Sequence, residues 1–254
     1  IGYYDSVYID IVTSIFMLLF GVNFSVYFLL LVRKFKAALT DSEFLGYFGI
    51  ALGAAVLIAL DIIDEYGGFW NAFRYSLFQV SSLMTTTGFA TADFTLWPAF
   101  SKSILIIVML IGASAGSTGG GLKVSRVIIF FKCAAAELGR MLNPRRTVSI
   151  RVNGKAIATS TVHNTLVFIS LYFLLTFVIT ALVSLDGYDF ETTFASVVSC
   201  MSNVGPGLGP AGPMGSFDIY SDLSKVLLSF AMLAGRLEIF PMLLLFSPDT
   251  WRRH

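Results

Sequence analysis

The sequence predicts an all-α integral membrane fold, assembled from repeated units of helix, half-helix, turn and helix. Three observations carry that expectation. Of 254 residues, 56% are hydrophobic and 13% charged, with a mean hydropathy of +0.79, whereas soluble domains carry about 25% charged residues. The apolar residues gather into runs of membrane-spanning length, about 20 residues each. Between those runs lie two shorter, semi-polar segments that match one another at a fixed spacing.

The same composition excludes other classes. A net charge of +1 supplies no basic stripe for nucleic acid, so no nucleic-acid partner is expected. Cys133 and Cys200 make no disulfide framework or metal cluster; the topology below sets them at opposite membrane faces, as small buried apolar residues. The two histidines are dispersed and no carboxylates pair within the membrane, so no enzymatic chemistry is expected. Ile1 begins without a Met or a basic n-region, as a fragment of a longer protein would.

Taken in order, spanning segments are expected at Ile9–Val32, Phe44–Ile63, Ala99–Ile111 continuing through Leu122–Ala136, Thr161–Leu185 and Leu223–Phe246. Twenty-four Phe and ten Tyr suit lipid contact and interfacial belts. Ala72–Met84 and Phe190–Met201 are too short to cross, since 13 helical residues reach only about 20 Å. They are expected to be re-entrant. Positive charge collects at Arg33, Lys34 and Lys36, then at Lys123, Arg126, Lys132, Arg140, Arg145, Arg146, Arg151 and Lys155, and finally at Arg252 and Arg253. These ends are cytoplasmic under the positive-inside rule. Asp5, Asp10, Asp61, Asp64, Glu65, Asp186, Asp189 and Glu191 mark the opposite ends, and the alternation closes only if both short segments enter and return on the outer side.

An internal repeat supports this topology. An offset of 117 (205 − 88) pairs Gly88 with Gly205, Phe73 with Phe190, Ser82 with Ser199 and Met84 with Met201. Asn71 and Asp189, nearly equivalent, are expected N-caps of the half-helices. Each half-helix then ends mid-membrane with unsatisfied carbonyls and the negative end of its dipole facing inward, which favours a cation. Non-helical backbone survives at that depth only where protein or water satisfies it. Gly permits the backbone conformation that turns successive carbonyls toward one axis, where they can replace an ion's hydration shell. A polar turn that merely packs is the alternative.

The stretches GVNFS (Gly21–Ser25), MTTTGFATADF (Met84–Phe94), GASAGSTGGGLKVSR (Gly112–Arg126), SNVGPGLG (Ser202–Gly209) and AGRLEIFP (Ala234–Pro241) resemble the Trk/Ktr/HKT superfamily of potassium transporters, on its bacterial TrkH/TrkG-type branch. The resemblance implies four pore units around a pseudo-fourfold pore. Residues 1–40 would hold the last helix of an earlier unit, 41–156 a complete unit and 157–254 the final one. It implies a selectivity filter at Thr86, Thr87, Gly88, Phe89, Asn203, Val204, Gly205 and Pro206, with potassium at Thr86, Thr87, Asn203 and Val204. Potassium is then the substrate, and no cofactor is expected in this chain. The resemblance further implies the bacterial inner membrane, a homodimer, and a cytoplasmic nucleotide-binding regulatory subunit of the TrkA type. The basic loop expected between Lys132 and Lys155 suits that contact, although anionic membrane lipid suits the same charges.

Two constellations remain. Gly112, Gly116, Gly119, Gly120 and Gly121 interrupt an otherwise apolar helix. A phosphate-binding loop is excluded because Gly121 is followed by Leu122 and Lys123 with no preceding strand. Small-residue packing accounts for one or two glycines, but three in succession unravel a helix, so an unwound intramembrane loop is expected; the resemblance makes it a gate. Arg236 lies about 13 residues into the last helix, where an arginine costs roughly 2.5 to 3.5 kcal/mol unless it faces protein or water. Glu238 sits on a different face. A structural arginine bonded to neighbouring carbonyls and a fixed positive charge in the pore are both open; the resemblance supports the second. Asn23 is expected to hydrogen-bond across a helix interface, His163 to lie at the cytoplasmic interface, and Lys102 and Lys225 to snorkel. Asp93 and Asp218 either draw cations to the mouth or are simply solvated. The function that emerges is potassium uptake through a gated pore, with secondary cotransport as the alternative and a flux-free structural subunit last.

Overall fold

A computed structural model of the chain describes residues 1–143, 149–237, 241, 242 and 244. Ten helices follow in order among them: α1 (Val7–Phe20), α2 (Phe24–Leu31), α3 (Phe35–Leu39), α4 (Ser42–Asp61), α5 (Phe69–Met84), α6 (Ala99–Ile111), α7 (Val124–Leu142), α8 (Thr159–Val183), α9 (Phe190–Ser202) and α10 (Asp222–Arg236). Between α7 and α8 a small antiparallel hairpin pairs β1 (Arg151–Val152) with β2 (Lys155–Ala156), so the basic stretch expected as a loop from Lys132 is helical through Leu142 and ends in a hairpin.

Two helices are long and apolar enough to cross a membrane by themselves, Ser42–Asp61 and Thr159–Asp186 with its final turn, and a third counts if α1 and α2 are one broken span. Their faces sort by size. On α4 the buried positions include Ala51, Ala54, Ala55 and Ala59, while Leu52, Val56, Leu57 and Leu60 point outward. Small residues let neighbouring backbones approach, and large ones meet lipid. The result is two buried clusters. One gathers Tyr47, Ile58, Leu83, Met84, Leu105 and Met109 among α4, α5 and α6; the other gathers Tyr172, Ile179, Val197, Met201 and Leu228 among α8, α9 and α10.

Where a straight span over Ile9–Val32 was expected, α1 and α2 meet at 90°. The bend is stabilised because backbone groups freed at the break find partners elsewhere in the fold, as buried backbone must. At the end of α1 the Leu18 carbonyl accepts from Tyr47 Oη at 3.0 Å and the Leu19 carbonyl from Tyr27 Oη at 2.5 Å. The Gly21 carbonyl accepts from the Ser114 N–H at 3.0 Å. Asn23 then caps α2, accepting from the Ser25 N–H at 2.8 Å. Gly21 admits this closure because a Cβ there would lie 2.2 Å from Tyr47 Oη.

The expected helix from Ala99 to Ala136 is broken, as its glycines indicated: α6 stops at Ile111 and α7 starts at Val124. The last spanning segment, Leu223–Phe246, is described as α10 through Arg236 and at Leu237, Pro241, Met242 and Leu244; Glu238, Arg145, Arg146, Arg252 and Arg253 lie outside the described residues. Cys200 is buried as expected, but Cys133 is only half-buried on α7, because that helix turns part of its surface outward.

Candidate functional site

The two half-helices are α5 and α9. Asp189 caps α9, its carboxylate accepting the Thr192 N–H at 3.0 Å and the Thr192 hydroxyl at 2.6 Å. Asn71 does not cap α5. That helix starts earlier, after Gly68, which leaves Asn71 within its first turn, where its amide donates to the Tyr66 carbonyl at 3.4 Å. The Thr192 hydroxyl and N–H hold the Asp189 carboxyl below the ordinary carboxylate value, and the Asp186 carboxyl accepts the Ser221 N–H at 2.9 Å.

At their other ends the half-helices close identically. The Thr86 N–H donates to the Leu83 carbonyl at 3.3 Å and the Thr87 N–H to the Ser82 carbonyl at 2.9 Å. In the second copy the Asn203 N–H donates to the Cys200 carbonyl at 3.1 Å and the Val204 N–H to the Ser199 carbonyl at 2.9 Å. Every donor and acceptor is displaced by the same 117 residues. This is the Schellman closure, which needs a left-handed residue just past the helix; Thr86 (φ 57°) and Asn203 (φ 58°) supply it, followed by Gly88 (φ 77°) and Gly205 (φ 120°). The repeat seen in four residue identities is therefore also a repeat of hydrogen bonds.

The two turns lie against each other. A Cβ on Gly88 would sit 2.4 Å from the Val204 carbonyl oxygen and 3.3 Å from Pro206 Cδ. The side chains of the turns are engaged with the scaffold. Thr86 Oγ1 accepts the Gly120 N–H at 2.9 Å, Thr87 Oγ1 shares a hydrogen bond with Thr85 Oγ1 at 2.8 Å, and Asn203 Nδ2 donates to the Met232 carbonyl at 3.1 Å. Ser82 Oγ donates to the Phe89 carbonyl at 2.6 Å, and Ser199 Oγ accepts the Gly205 N–H at 3.1 Å. Among the described residues no group donates to the carbonyl oxygens of Thr86, Thr87, Asn203 or Val204.

The glycine-rich loop 112–123 packs onto the ends of both half-helices. A Cβ on Gly120 would lie 2.0 Å from the Ser202 carbonyl oxygen, and one on Gly119 3.3 Å from that of Thr85. Gly112 and Gly121 back onto one another in the same fold of chain. The loop returns on itself, so that the N–H groups of Leu122, Lys123 and Val124 donate to the carbonyls of Leu110, Ile111 and Ala113 at 3.0, 2.8 and 3.0 Å. Its far side seats on the α1–α2 bend, where the Gly116 carbonyl accepts the Phe24 N–H at 3.2 Å. Arg236, exposed at the end of α10, donates from Nη1 to the Thr118 carbonyl of this loop at 3.2 Å.

Other expectations change with the contacts. Lys102 forms an ion pair with Glu191 at 2.6 Å, tying the start of α6 to the start of α9 instead of snorkelling alone. Lys225 stands 4.0 Å from Asp218, and Asp93 caps the short turn at Thr95. His163 is exposed near the start of α8. Asn23 does cross an interface, donating to Glu43 Oε2 at 3.1 Å. Three residues escaped the sequence. Arg74, on α5, pairs with the buried Asp10 at 3.5 Å and lies 4.4 Å over the Tyr75 ring. Gly235 meets the end of α9. Glu43, on α4, belongs to no motif and shows its role only through its contacts with Ala115 and Asn23.

Comparison with known proteins follows the same lines. Residues 69–253 match the profile of the TrkH family, described as a cation transport protein. The chain is 34% identical to the Trk system potassium uptake protein TrkG of Escherichia coli (strain K12) and 36% identical to TrkH of the same strain, in each case over 99% of this chain and 52% of the relative. The crystal structure of the potassium transporter TrkH from Vibrio parahaemolyticus superimposes with a TM-score of 0.90 at 35% identity, covering 99% of this chain and 55% of that one. The chain thus spans about half the length of the relatives it matches.

Proposed function

Since the chain belongs to the TrkH family of cation transport proteins, we propose that it supplies two of the pore units through which a bacterium takes up potassium across its inner membrane. One observation carries the proposal: two half-helices, 117 residues apart, end in turns closed by the same pair of backbone hydrogen bonds, and Gly88 of the first turn packs against the Val204 carbonyl oxygen of the second. Carbonyl oxygens at the negative ends of helix dipoles suit a dehydrated monovalent cation. Thr86, Thr87, Gly88 and Phe89 form one filter strand in this reading, and Asn203, Val204, Gly205 and Pro206 the next, with potassium held at the oxygens of Thr86, Thr87, Asn203 and Val204. The resemblance to four-unit transporters supports residues 1–40 as the close of an earlier unit and 41–156 and 157–254 as the two units that follow.

The loop from Gly112 to Gly121 is the gate. Its contact with the Ser202 carbonyl and the Thr86 hydroxyl supports that role, because a segment pressed on the filter must shift for ions to leave. Arg236, bonded to the loop at Thr118, adds a fixed positive charge beside the ion path. A homodimer and a TrkA-type nucleotide-binding subunit complete the assembly, with the basic segment Lys132–Lys155 as its cytoplasmic contact.

Electrical recording from the full-length protein in bilayers, with potassium and sodium gradients set separately, tests this. A current that reverses near the potassium equilibrium potential is expected. Transport obligatorily coupled to sodium or protons would replace the pore with a cotransporter.

A further inference from the structure

Glu43, in the first turn of α4, is 8% exposed, and its two oxygens grip different parts of the fold. Oε1 accepts the Ala115 N–H of the glycine-rich loop at 2.6 Å, and Oε2 accepts Asn23 Nδ2, at the α1–α2 bend, at 3.1 Å. A buried carboxylate is costly unless hydrogen-bonded, and a bond to an ionised acceptor is about twice as strong as a neutral one. One side chain therefore ties the loop to α4.

The position of Glu43 is set in turn from the cytoplasmic side. Asp41 caps α4, its Oδ1 accepting the N–H groups of Glu43 at 2.8 Å and Phe44 at 3.0 Å. Asp41 Oδ2 accepts from Asn153 Nδ2 at 2.5 Å, while Asn153 Oδ1 accepts the Ser42 N–H at 2.8 Å. Asn153 (φ 52°) and Gly154 (φ 75°) are the two turn residues of the β1–β2 hairpin, the left-handed pair that a tight hairpin requires. That hairpin is exposed and anchored to α7 by Lys132 Nζ, which donates to the Arg151 carbonyl at 2.7 Å. A continuous path thus runs from an exposed hairpin tip, through the cap of α4, to the loop under the filter.

We infer that Glu43 is a positioning residue for the glycine-rich loop, and that the hairpin tip at Asn153 governs where Glu43 stands. The inference rests on the gate reading above. Drawing the hairpin away from Asp41 and Ser42 uncaps α4, retracts Glu43 and frees Ala115, so that a cytoplasmic event at the hairpin loosens the loop without touching it.

Recording from the full-length protein tests this with two single variants and their combination. Glu43→Gln keeps the shape but loses the charge and sets an amide donor against donors. It is expected to raise the open-to-closed ratio about tenfold, as loss of a charge-assisted contact implies, and Asn153→Ala about threefold, because Asn153 reaches the loop only through Glu43. Unitary current and the potassium-to-sodium permeability ratio stay as in the wild type, which a general loss of structure would not leave intact. Because Asn153 acts through Glu43, the double variant should match Glu43→Gln alone; a multiplied effect of about thirtyfold overturns the coupling. Gly120→Ala, which disturbs the loop directly, is recorded in parallel. If it alters the open ratio while the other two do not, the latch is wrong and the gate stands; if none alters it, the gate fails and the latch with it. Hydrogen exchange of residues 112–123 in Asn153→Ala gives a reading independent of current: faster exchange is expected, and unchanged protection overturns the inference.

Discussion

Gly235 on α10 approaches the carbonyl oxygen of Met201 on α9 so closely that a Cβ would lie 1.8 Å from it. Backbone meets backbone there, with no flexible side chain able to give way. The contact seats α10 against the end of the second half-helix and brings Arg236, the next residue, to the Thr118 carbonyl.

Gly235→Ala must therefore push α10 outward. Overpacking of this kind costs about 1 to 3 kcal/mol, and a lower midpoint of thermal unfolding in detergent is expected. An unchanged midpoint with unchanged flux would show that the helices separate freely.

Gly88 is constrained twice, by a φ of 77° and by the Val204 oxygen 2.4 Å from its virtual Cβ. Gly88→Ala displaces the facing strand and its carbonyls. Potassium flux should fall at least tenfold, or potassium-to-sodium discrimination should collapse by a similar factor, in ion-replacement recordings. Retention of both would remove this turn from the filter.

Arg236→Ala removes a hydrogen bond to the loop and, on the pore proposed above, a positive charge beside the ion path. Cation flux should rise, by about threefold to tenfold if the lost barrier is about 1 kcal/mol. The outcome that contradicts this is reduced flux accompanied by poor folding, which makes the arginine structural.

Asp189 gives a prediction in pH. Its carboxyl is held below the ordinary value of 3.8 by the Thr192 hydroxyl and N–H. A carboxyl lowered in the folded state stabilises fully above its unfolded value and loses that contribution as pH falls through the folded one. Asp189→Ala should accordingly cost about 1 kcal/mol, the usual value of an N-cap, by an equal amount from pH 8 to pH 5. The gap to wild type should close only below pH 3.8. A gap that narrows near neutrality would assign the effect to another group.

Much of the paired turns was legible in the sequence. Gly88, Gly205, Ser82 and Ser199 repeat at one offset, and the same offset governs the hydrogen bonds because identical backbone closures need similar residues at matching places. The Asp189 cap was legible too, since it depends on residues three positions apart. The Asn71 cap was misread because Gly68, which has no side-chain signal, starts α5 earlier. The bend at Gly21–Asn23 was invisible for a different reason. A run of apolar residues reads as one helix, while the groups that stabilise the break, Tyr47 and Ser114, are 26 and 93 residues away from Gly21.

By itself the sequence determined the membrane class, the long apolar segments, the repeated half-helices and the unwinding at Gly119–Gly121. Those follow from local composition and from spacing along a line, which folding does not alter. Tertiary structure alone decided that Gly120 presses on Ser202, that Gly235 meets Met201, and that Glu43 joins Ala115 to a cap held by Asn153. Such contacts depend on which surfaces face each other after the helices pack, and no single stretch of chain contains both partners.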